Sequence, residues 1–318
     1  MSEFNIIETY FTWDNPSSSV IKGVGDDAAL LEVPNDKYLV TSVDTSIAGV
    51  HFPKNTAAFD IGYKSLAVNL SDLAAMGASA EWFTLAVTLP SVNKPEDKHW
   101  LKNFSAGLKS LAEDSACALV GGDTTRGDLS ITIQVMGFVN KNKALLRSGA
   151  KVGDNIFVTG TLGDASAGLA SILKKLKFST NEDEKYCQQR LNKPTARLLE
   201  SETIKQFATS CIDVSDGLIQ DLSHILKASN VGAEIDINKL PLSKALRSVD
   251  FKVATRFALS GGDDYELLFT IPAKKDVDFL KAINFPVTKI GKINANASSI
   301  TDENGNLLES LGFNHFVK

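Results

Sequence analysis

The most constraining stretch of this sequence is the run from residue 67 to residue 77, which reads Ala-Val-Asn-Leu-Ser-Asp-Leu-Ala-Ala-Met-Gly. Its apolar residues recur at helical spacing and Gly77 stands where a helix would end, so we expect a helix over residues 57–77. Asp72 lies among the apolar residues, and Asn69 lies on the same helical face. Because an unpaired carboxylate that leaves water is strongly disfavoured, Asp72 should face solvent or a cation. A carboxylate and an amide oxygen on one face could help to hold a hard metal ion.

Carboxylates in apolar or glycine-rich surroundings recur along the chain. A helix cap or an Asx turn is the ordinary explanation of any single one of them. Six such sites in one chain indicate a shared purpose. The other stretches are residues 23–31, 41–45, 119–127, 212–218 and 260–269.

Length and composition restrict the class of protein. A chain of 318 residues suggests two domains, and 43% hydrophobic residues suffice for ordinary cores. The formal net charge of −5 gives no overall basic surface for nucleic acid. The three cysteines show no CxxC spacing and suit a reducing cytosol. We find no signal peptide and no apolar run of the roughly 18 residues that a membrane-spanning helix needs, so we expect a cytoplasmic protein without membrane contact.

Hydrophobic patterns alternate between strand and helix periods in both halves of the chain. The predicted class is α/β (α+β), and a break near residues 140–152 separates predicted domains 1–145 and 146–318. Predicted helices lie at residues 4–13, 57–77, 96–115, 165–175, 194–208 and 217–229, and predicted strands at residues 28–33, 38–47, 81–89, 118–120, 129–139, 155–159, 211–214, 233–237, 264–271 and 286–293.

The connecting segments carry their own predictions. Residues 121–123, Gly-Gly-Asp, are predicted to form a turn between two strands. Residues 160–164 could present backbone N–H groups to an anion, although a simple tight connection is the commoner use of such a turn. Residues 176–188 are polar and predicted to be mobile, and residues 302–306 are predicted to form a hairpin turn.

The spacing of the aspartates predicts a site that tertiary structure assembles, since an EF-hand would hold its ligands in one short loop. Mg²⁺ bound with a nucleotide is usually held by a few carboxylates, with open positions for phosphate oxygens. The sequence contains no GxxxxGK[ST], no complete dinucleotide fingerprint, no protein-kinase HRD or DFG motif and no nucleophile elbow. The four histidines are too scattered to indicate a zinc site.

Eight stretches resemble the thiamine-monophosphate kinase family, in the order in which that family has them. They are GVGDDAALL, VDTSIAGVHF, SLAVNLSDLAAMGA, LVGGDTTRG, RSGAKVGD, VTGTLGDASAGLA, DVSDGL and GGDDYELLFT. The resemblance implies the two-domain fold of the aminoimidazole ribonucleotide synthetase superfamily and a homodimer in which the N-terminal sheets pair. It also implies ATP-dependent phosphorylation of thiamine monophosphate to thiamine diphosphate, with several Mg²⁺ ions.

The resemblance further implies roles for individual residues. Its Mg²⁺ ligands correspond to Asp27, Ser42, Val43, Asp44, Asp72, Asp123, Asp213 and Asp216. Its ATP-binding positions correspond to Gly122, Asp123, Arg147 and Ser215, and its thiamine-phosphate positions to His51, Asp263 and Phe313. Without the resemblance, a surface salt bridge would explain Arg147 and a loop histidine would explain His51.

One departure from the family concerns the substrate positions. The family usually has Gly-Gly-Glu-Asp-Tyr-Glu where residues 261–266 of this chain read Gly-Gly-Asp-Asp-Tyr-Glu. The carboxylate at Asp263 is therefore retained on a side chain that is one methylene shorter.

The expected mechanism is in-line transfer of the ATP γ-phosphoryl group without a catalytic base, because a phosphate acceptor is already ionised near neutral pH. Two alternatives stay open. The chain could be another ATP-using enzyme of the superfamily, such as an aminoimidazole ribonucleotide synthetase-like enzyme. It could also be a non-catalytic protein whose carboxylates bind structural cations.

Overall fold

The computed structural model describes residues 2–13 and 17–309. The chain forms two compact units. The N-terminal unit comprises Met1–Leu73 and Ala78–Asn142, and the C-terminal unit comprises Ala74–Gly77 and Lys143–Lys318. The change of unit after Asn142 lies within the segment where the sequence pattern breaks.

The N-terminal unit is built on one mixed sheet. Its elements are α1 (Glu3–Tyr10), β1 (Val20–Lys22), β2 (Leu30–Leu31), β3 (Lys37–Ile47), α2 (Ala58–Ala75), β4 (Ser79–Leu89), α3 (Pro95–Asp114), β5 (Ala118–Arg126) and β6 (Ser130–Asn140). The strands are arranged in the order β3-β6-β4-β5. β6 is antiparallel to both β3 and β4, and β5 is parallel to β4. The predicted helices over residues 57–77 and 96–115 are confirmed.

Helices α2 and α3 approach each other closely through two glycines. A Cβ atom on Gly62 would lie 2.1 Å from the Phe104 carbonyl oxygen, and one on Gly107 would lie 1.9 Å from the Phe59 carbonyl oxygen. Any larger side chain at either position would push the helices apart, because the obstructing atoms belong to the backbone. This contact keeps α2 in place beside the sheet.

The prediction of a turn at residues 121–123 is wrong, because β5 continues through them to Arg126. Gly121 pairs with Thr84, Gly122 with Leu85 and Asp123 with Ala86. Gly122 is needed for close packing, since a Cβ atom there would lie 1.9 Å from the Leu85 carbonyl oxygen. The chain reverses later, between β5 and β6, at residues 127–129.

The C-terminal unit contains a second mixed sheet with helices on both faces. Its elements are β7 (Asp154–Thr159), α4 (Asp164–Ile172), α5 (Asn181–Asn192), α6 (Leu198–Ile204), β8 (Ser210–Asp213), α7 (Leu218–Ser229), β9 (Gly232–Ile235), α8 (Lys244–Arg247), α9 (Phe251–Ser260), β10 (Leu267–Pro272), α10 (Asp276–Ala282), β11 (Val287–Asn294) and β12 (Ile300–Asp302). The strand order is β12-β9-β11-β7-β10-β8. Together the two sheets confirm the predicted α/β (α+β) class.

The central strand β7 is buried along its whole length, and its side chains alternate between two cores. Ile156 and Val158 belong to the core formed with α4, α7, α8 and α9. Phe157 points to the other face, where it packs on Phe269 and Phe279. Helices on both faces explain why the strands of this unit read as continuous apolar runs.

Three predictions in the C-terminal unit need correction. Residues 176–188 were predicted to be mobile, but α5 begins within them at Asn181, where the Thr180 hydroxyl caps the helix by accepting the Asp183 N–H. The predicted helix at 194–208 is too long, since α6 covers only Leu198–Ile204. The predicted strand at 264–271 starts too early, since β10 begins at Leu267. The hairpin turn at 302–306 is confirmed, since the Gly305 N–H donates to the Asp302 carbonyl. Across the described residues, none of the helices combines the length and the apolar character that crossing a membrane requires.

Candidate active site

Strand β3 and helix α2 bring two predicted metal ligands together. The Ser42 hydroxyl donates to Asp72 Oδ2 at 2.5 Å. The Asp44 N–H donates to Asn69 Oδ1 at 3.1 Å, and Asn69 Nδ2 in turn donates to the Ser65 carbonyl. Asn69 and Asp72, which helical spacing places on one face of α2, thus both bond to residues of β3.

The Asp44 carboxyl lies in an unfavourable electrostatic environment. Asp44 as a residue is exposed, but neighbouring atoms shield its carboxyl from water. This desolvation, together with the Asp72 charge, raises the pKa of Asp44 to about 6. Two nearby carboxylates of like charge fit a divalent cation, which would favour the ionised form of both. Val43 points to the opposite face of β3, so only its main chain could contribute beside Asp44.

A second set of predicted residues lines a cavity of about 660 Å³ in the N-terminal unit. Asp27, Gly122 and Asp123 line it together with Phe4 and Ile7 of α1. This cavity has both acidic and apolar walls, which suits a ligand with a polar and an apolar part.

The neighbouring Asp26 has a different environment from Asp27. Its Oδ1 accepts the Asp27 N–H, and its Oδ2 forms an ion pair with Lys22 at 3.5 Å. The amide bond, together with Lys22, lowers the pKa of Asp26. The Asp26 carboxylate is thus already engaged with a cationic side chain.

His51 follows β3 in the chain. Its Nδ1 accepts the Ile47 N–H at 3.0 Å, which places the proton of the neutral ring on Nε2. A proton on Nε2 makes that nitrogen a hydrogen-bond donor.

In the C-terminal unit, the loop after β8 and the loop before β10 are joined by backbone hydrogen bonds. The Val214 N–H donates to the Glu266 carbonyl, the Tyr265 N–H to the Val214 carbonyl, and the Asp263 N–H to the Ser215 carbonyl, each at 2.8 Å. Asp213 ends β8, opposite Leu267 in β10. The predicted metal loop and the predicted substrate loop therefore form one structural unit.

The backbone before β10 is unusual. Asp263 and Tyr265 have φ values of 71° and 52°, in the left-handed region that non-glycine residues rarely adopt. The Tyr265 hydroxyl donates to Asp263 Oδ1 at 3.2 Å. Alternation along this strained segment turns Asp263 to the partly exposed side, whereas Asp264 and Glu266 are buried.

Asp264 binds the turn at residues 160–164, whose backbone N–H groups could otherwise face an anion. Its Oδ2 accepts the Gly163 N–H at 2.6 Å, and its Oδ1 accepts the Ala165 N–H at 3.3 Å. Burial raises the pKa of Asp264 well above its usual range, while these two donors act in the opposite direction. The amides at the start of α4 thus bind an internal carboxylate, and residues 160–164 serve as a tight connection.

Arg147 and Asp216 both act on His224 of α7. Burial and the Arg147 charge lower the pKa of His224, and Asp216 opposes them. His224 therefore lies near both a predicted ATP-binding residue and a predicted metal ligand. His224 matches no motif of the family resemblance, and its spacing to the other histidines does not indicate a zinc site, so the sequence does not predict its position beside these residues.

Among residues 2–13 and 17–309, no group of three or more His, Cys, Asp or Glu side chains is arranged to hold a metal ion. The predicted ligands lie in smaller sets: Asp44 with Asp72, Asp27 with Asp123, and Asp213 with Asp216. Phe313 lies outside the described residues.

Comparisons with known proteins identify the family. The AIR synthase related protein, N-terminal domain, matches residues 25–139, and the AIR synthase related protein, C-terminal domain, matches residues 151–302. A thiamine-monophosphate kinase of Escherichia coli (strain K12) is 47% identical over 99% of this chain and 98% of its own length. The chain belongs to the thiamine-monophosphate kinase family.

Solved structures support the same assignment to the thiamine-monophosphate kinase family. A thiamine-monophosphate kinase from Stenotrophomonas maltophilia K279a superposes with a TM-score of 0.85 at 42% identity, over 92% of this chain and 93% of that one. AaThiL complexed with AMPPCP and TMP superposes with a TM-score of 0.79 at 32% identity, over 93% of this chain and 92% of that one. The resemblance on which the predicted residue roles depend is thus confirmed at the level of family and fold.

Proposed function

We propose that this chain transfers the γ-phosphoryl group of ATP to thiamine monophosphate, giving thiamine diphosphate and ADP. The observation that carries the proposal is the likeness, over 93% of the chain, to a family structure complexed with AMPPCP, an ATP analogue, and with TMP. The 47% identity to a thiamine-monophosphate kinase supports the same activity.

The acidic residues are proposed to hold several Mg²⁺ ions. The close Asp44 and Asp72 carboxylates, of which Asp44 has a raised pKa, form a donor set that fits a divalent cation. Bound Mg²⁺ would neutralise charge on the phosphates and help to align them. The proposed ligands are Asp27, Ser42, Val43, Asp44, Asp72, Asp123, Asp213 and Asp216.

ATP is proposed to contact Gly122, Asp123, Arg147 and Ser215. Gly122 has no side chain, so the backbone of β5 can approach a phosphate, and Asp123 lines the same cavity. The Arg147 guanidinium offers planar donors that match phosphate oxygens. The Ser215 hydroxyl can donate to a further phosphate oxygen.

Thiamine monophosphate is proposed to contact His51, Asp263 and Phe313. The His51 Nε2–H can donate to the phosphate, because Nδ1 is engaged with the Ile47 N–H. The negative Asp263 carboxylate would attract the positive thiazolium ring. The Tyr265 hydroxyl orients this carboxylate by donating to its Oδ1. The shorter Asp263 side chain keeps this charge, while the strained backbone fixes its direction.

We propose no catalytic base in this reaction. The acceptor is a phosphate monoester whose second pKa is about 6, so it is largely a dianion at neutral pH. The residues need only to hold donor and acceptor in line and to exclude competing water.

We further propose that the protein is a cytoplasmic homodimer. β3 is an edge strand of its sheet, and its exposed residues include Tyr38, Leu39 and Ile47. An edge with eleven residues and exposed apolar side chains is suited to pairing with a second copy. The proposed N-terminal domain, residues 1–145, would bind ATP and Mg²⁺ and dimerise, with residues 146–318 as the second domain. The three buried free cysteines suit a reducing compartment.

The test is an assay of purified protein with ATP, Mg²⁺ and thiamine monophosphate, in which chromatography resolves thiamine diphosphate and ADP. Equal amounts of the two products are expected, and unphosphorylated thiamine as the control acceptor should give neither. ATP consumption without thiamine diphosphate would contradict the proposal and favour another activity of the superfamily. Untouched ATP would favour the non-catalytic cation-binding alternative.

A further inference from the structure

The loop between β8 and α7 is held from inside the protein by one carboxylate. Asp221 Oδ2 accepts the backbone N–H groups of Ser215, Asp216 and Gly217, at 3.0, 3.1 and 3.1 Å. Asp221 is 2% exposed and lies in the first turn of α7. A single buried oxygen thereby fixes three consecutive peptide groups.

This arrangement differs from ordinary helix capping. The residue that precedes a helix normally supplies the capping side chain, but α7 is preceded by Gly217, which has none. Gly217 has a φ of 119°, and a Cβ atom there would lie 2.9 Å from the Ser260 carbonyl carbon. The tight turn requires glycine, so the acceptor comes instead from four residues further along the chain.

The loop that Asp221 holds carries the proposed ligands. Ser215 and Asp216 provide a proposed ATP contact and a proposed Mg²⁺ ligand. The Asp216 carboxylate is held as well, since Gln220 Nε2 donates to its Oδ2 at 3.1 Å. Adjacent residues of α7 thus fix both the backbone and the side chain of Asp216.

The effect of Asp221 extends to the substrate loop. Ser215, whose N–H binds Asp221, uses its carbonyl to accept the Asp263 N–H at 2.8 Å. The Asp263 backbone therefore depends on the same peptide units that Asp221 holds, and Asp263 is the proposed contact to thiamine monophosphate.

We propose, on the basis of the function proposed above, that Asp221 is the positioning residue that sets the 215–217 loop for Mg²⁺ and ATP and, through Ser215, the Asp263 loop for thiamine monophosphate. It contacts neither substrate. Outer partners of metal ligands typically change metal affinity or activity by about 10–100-fold when they are removed.

Asp221→Asn tests this role because it keeps the shape of the side chain and replaces one of the two acceptor oxygens with an amide nitrogen that cannot accept an N–H group. Asp302→Asn is the matched control, since Asp302 is also buried and accepts the N–H groups of Asn304 and Asn306. Asp302 ends β12, which is one edge strand of the sheet, and β8 is the other edge strand. Five strand spacings separate β12 from β8, a distance of roughly 24 Å. Both variants alter a buried carboxyl group that accepts backbone N–H groups of a turn beside the same sheet.

The expected result has two independent parts. Asp221→Asn should raise the half-saturating Mg²⁺ concentration and lower kcat/KM for thiamine monophosphate, each by about tenfold or more. Hydrogen exchange should become faster at the amides of residues 215–217 and 263 in the protein without ligands. Asp302→Asn should leave all of these values within about twofold, whatever it costs in thermal stability.

Equal behaviour of the two variants would overturn the proposal and leave Asp221 as a helix-stabilising residue. If the unmodified protein does not phosphorylate thiamine monophosphate, the proposed function fails, while hydrogen exchange still decides whether Asp221 holds both loops. If Asp221→Asn does not fold, Asp221→Ser, which keeps one acceptor, replaces it. Failure of both variants to fold would assign Asp221 to folding alone and overturn the proposal.

Discussion

Two pairs of acidic residues in the family motifs show opposite electrostatic arrangements. In the N-terminal unit, Asp44 and Asp72 lie close together, and burial with like charge raises the pKa of Asp44. In the C-terminal unit, Asp264 accepts two backbone N–H groups, and Glu266 accepts hydrogen bonds from Arg190, Arg197 and Thr159. The proposed Mg²⁺ would favour the ionised form of the first pair, whereas the second pair accepts its hydrogen bonds from donors of the chain itself. A carboxylate in a conspicuous motif can therefore serve either binding or folding, and its donors distinguish the two.

The largest effect is expected for Asp72→Asn. The amide cannot supply the negative charge that the proposed metal ligand provides, so turnover should fall below detection at limiting Mg²⁺. The free energy of unfolding should stay equal or rise, because a like charge beside Asp44 is removed. Turnover and urea denaturation measured on the same preparation test both parts. Full activity at limiting Mg²⁺ would remove Asp72 from the proposed metal site.

Glu266→Ala should lower the free energy of unfolding, which Asp72→Asn should not. Its side chain is fully buried, and removal would leave the Arg190 and Arg197 guanidinium groups without their buried partner. Breaking a buried ion pair from one side costs about 3–5 kcal/mol, which urea denaturation would register. Glu200→Ala is the control, since it removes a more accessible partner of Arg197 and leaves Glu266 in place, so it should cost less than Glu266→Ala. A loss in Glu266→Ala no larger than that in Glu200→Ala would contradict the dominant role of Glu266 in this network.

Addition of Mg²⁺ separates the two pairs directly. A ligand at a hundred times its dissociation constant stabilises the folded state by about 2.7 kcal/mol. We expect a Mg²⁺-dependent rise in the melting temperature of the unmodified protein and of Asp264→Asn, and a smaller rise in Asp72→Asn. Ca²⁺ and increased NaCl serve as controls for ion size and general screening. A rise that is the same in all three proteins would place the bound ion elsewhere.

The smallest effect is expected for Asp264→Asn without added metal. One amide oxygen can still accept from Gly163 or Ala165, so only part of the bonding at the start of α4 is lost. The free energy of unfolding should fall by about 1–3 kcal/mol, the usual cost of an unsatisfied buried group. Thermal denaturation with calorimetry would measure it. An unchanged stability would indicate that the protonated carboxyl is the form already present.

The sequence predicted the helix α2 and the shared face of Asn69 and Asp72 because helical periodicity is a local property. It misplaced the turn at residues 121–123 because a glycine required by the Leu85 carbonyl looks, in the sequence, like a glycine required by a turn. It missed α5 because that helix has few buried residues, among them Cys187 and Leu191, and a polar surface elsewhere. Local patterns cannot show which distant backbone a residue will meet.

The sequence predicted the candidate site only as separate motifs. Motif resemblance selected Asp213, Ser215 and Asp216, but no local signal tied them to the segment around Asp263, about fifty residues later. Asp221 did carry a detectable signal, since it stands among Leu218, Leu222 and Ile225 on the apolar side of α7. The same signal marks Asp72 in α2, where a charged residue also stands among apolar ones.

The three hydrogen bonds between residues 214–215 and residues 263–266 have a thermodynamic consequence. A nucleotide that orders the first segment reduces the conformational entropy that the second segment still has to lose. Thiamine monophosphate should therefore bind more tightly to the nucleotide-bound protein than to the empty one. Linkage requires the reverse enhancement to have the same magnitude, so the two substrates should show positive heterotropic cooperativity.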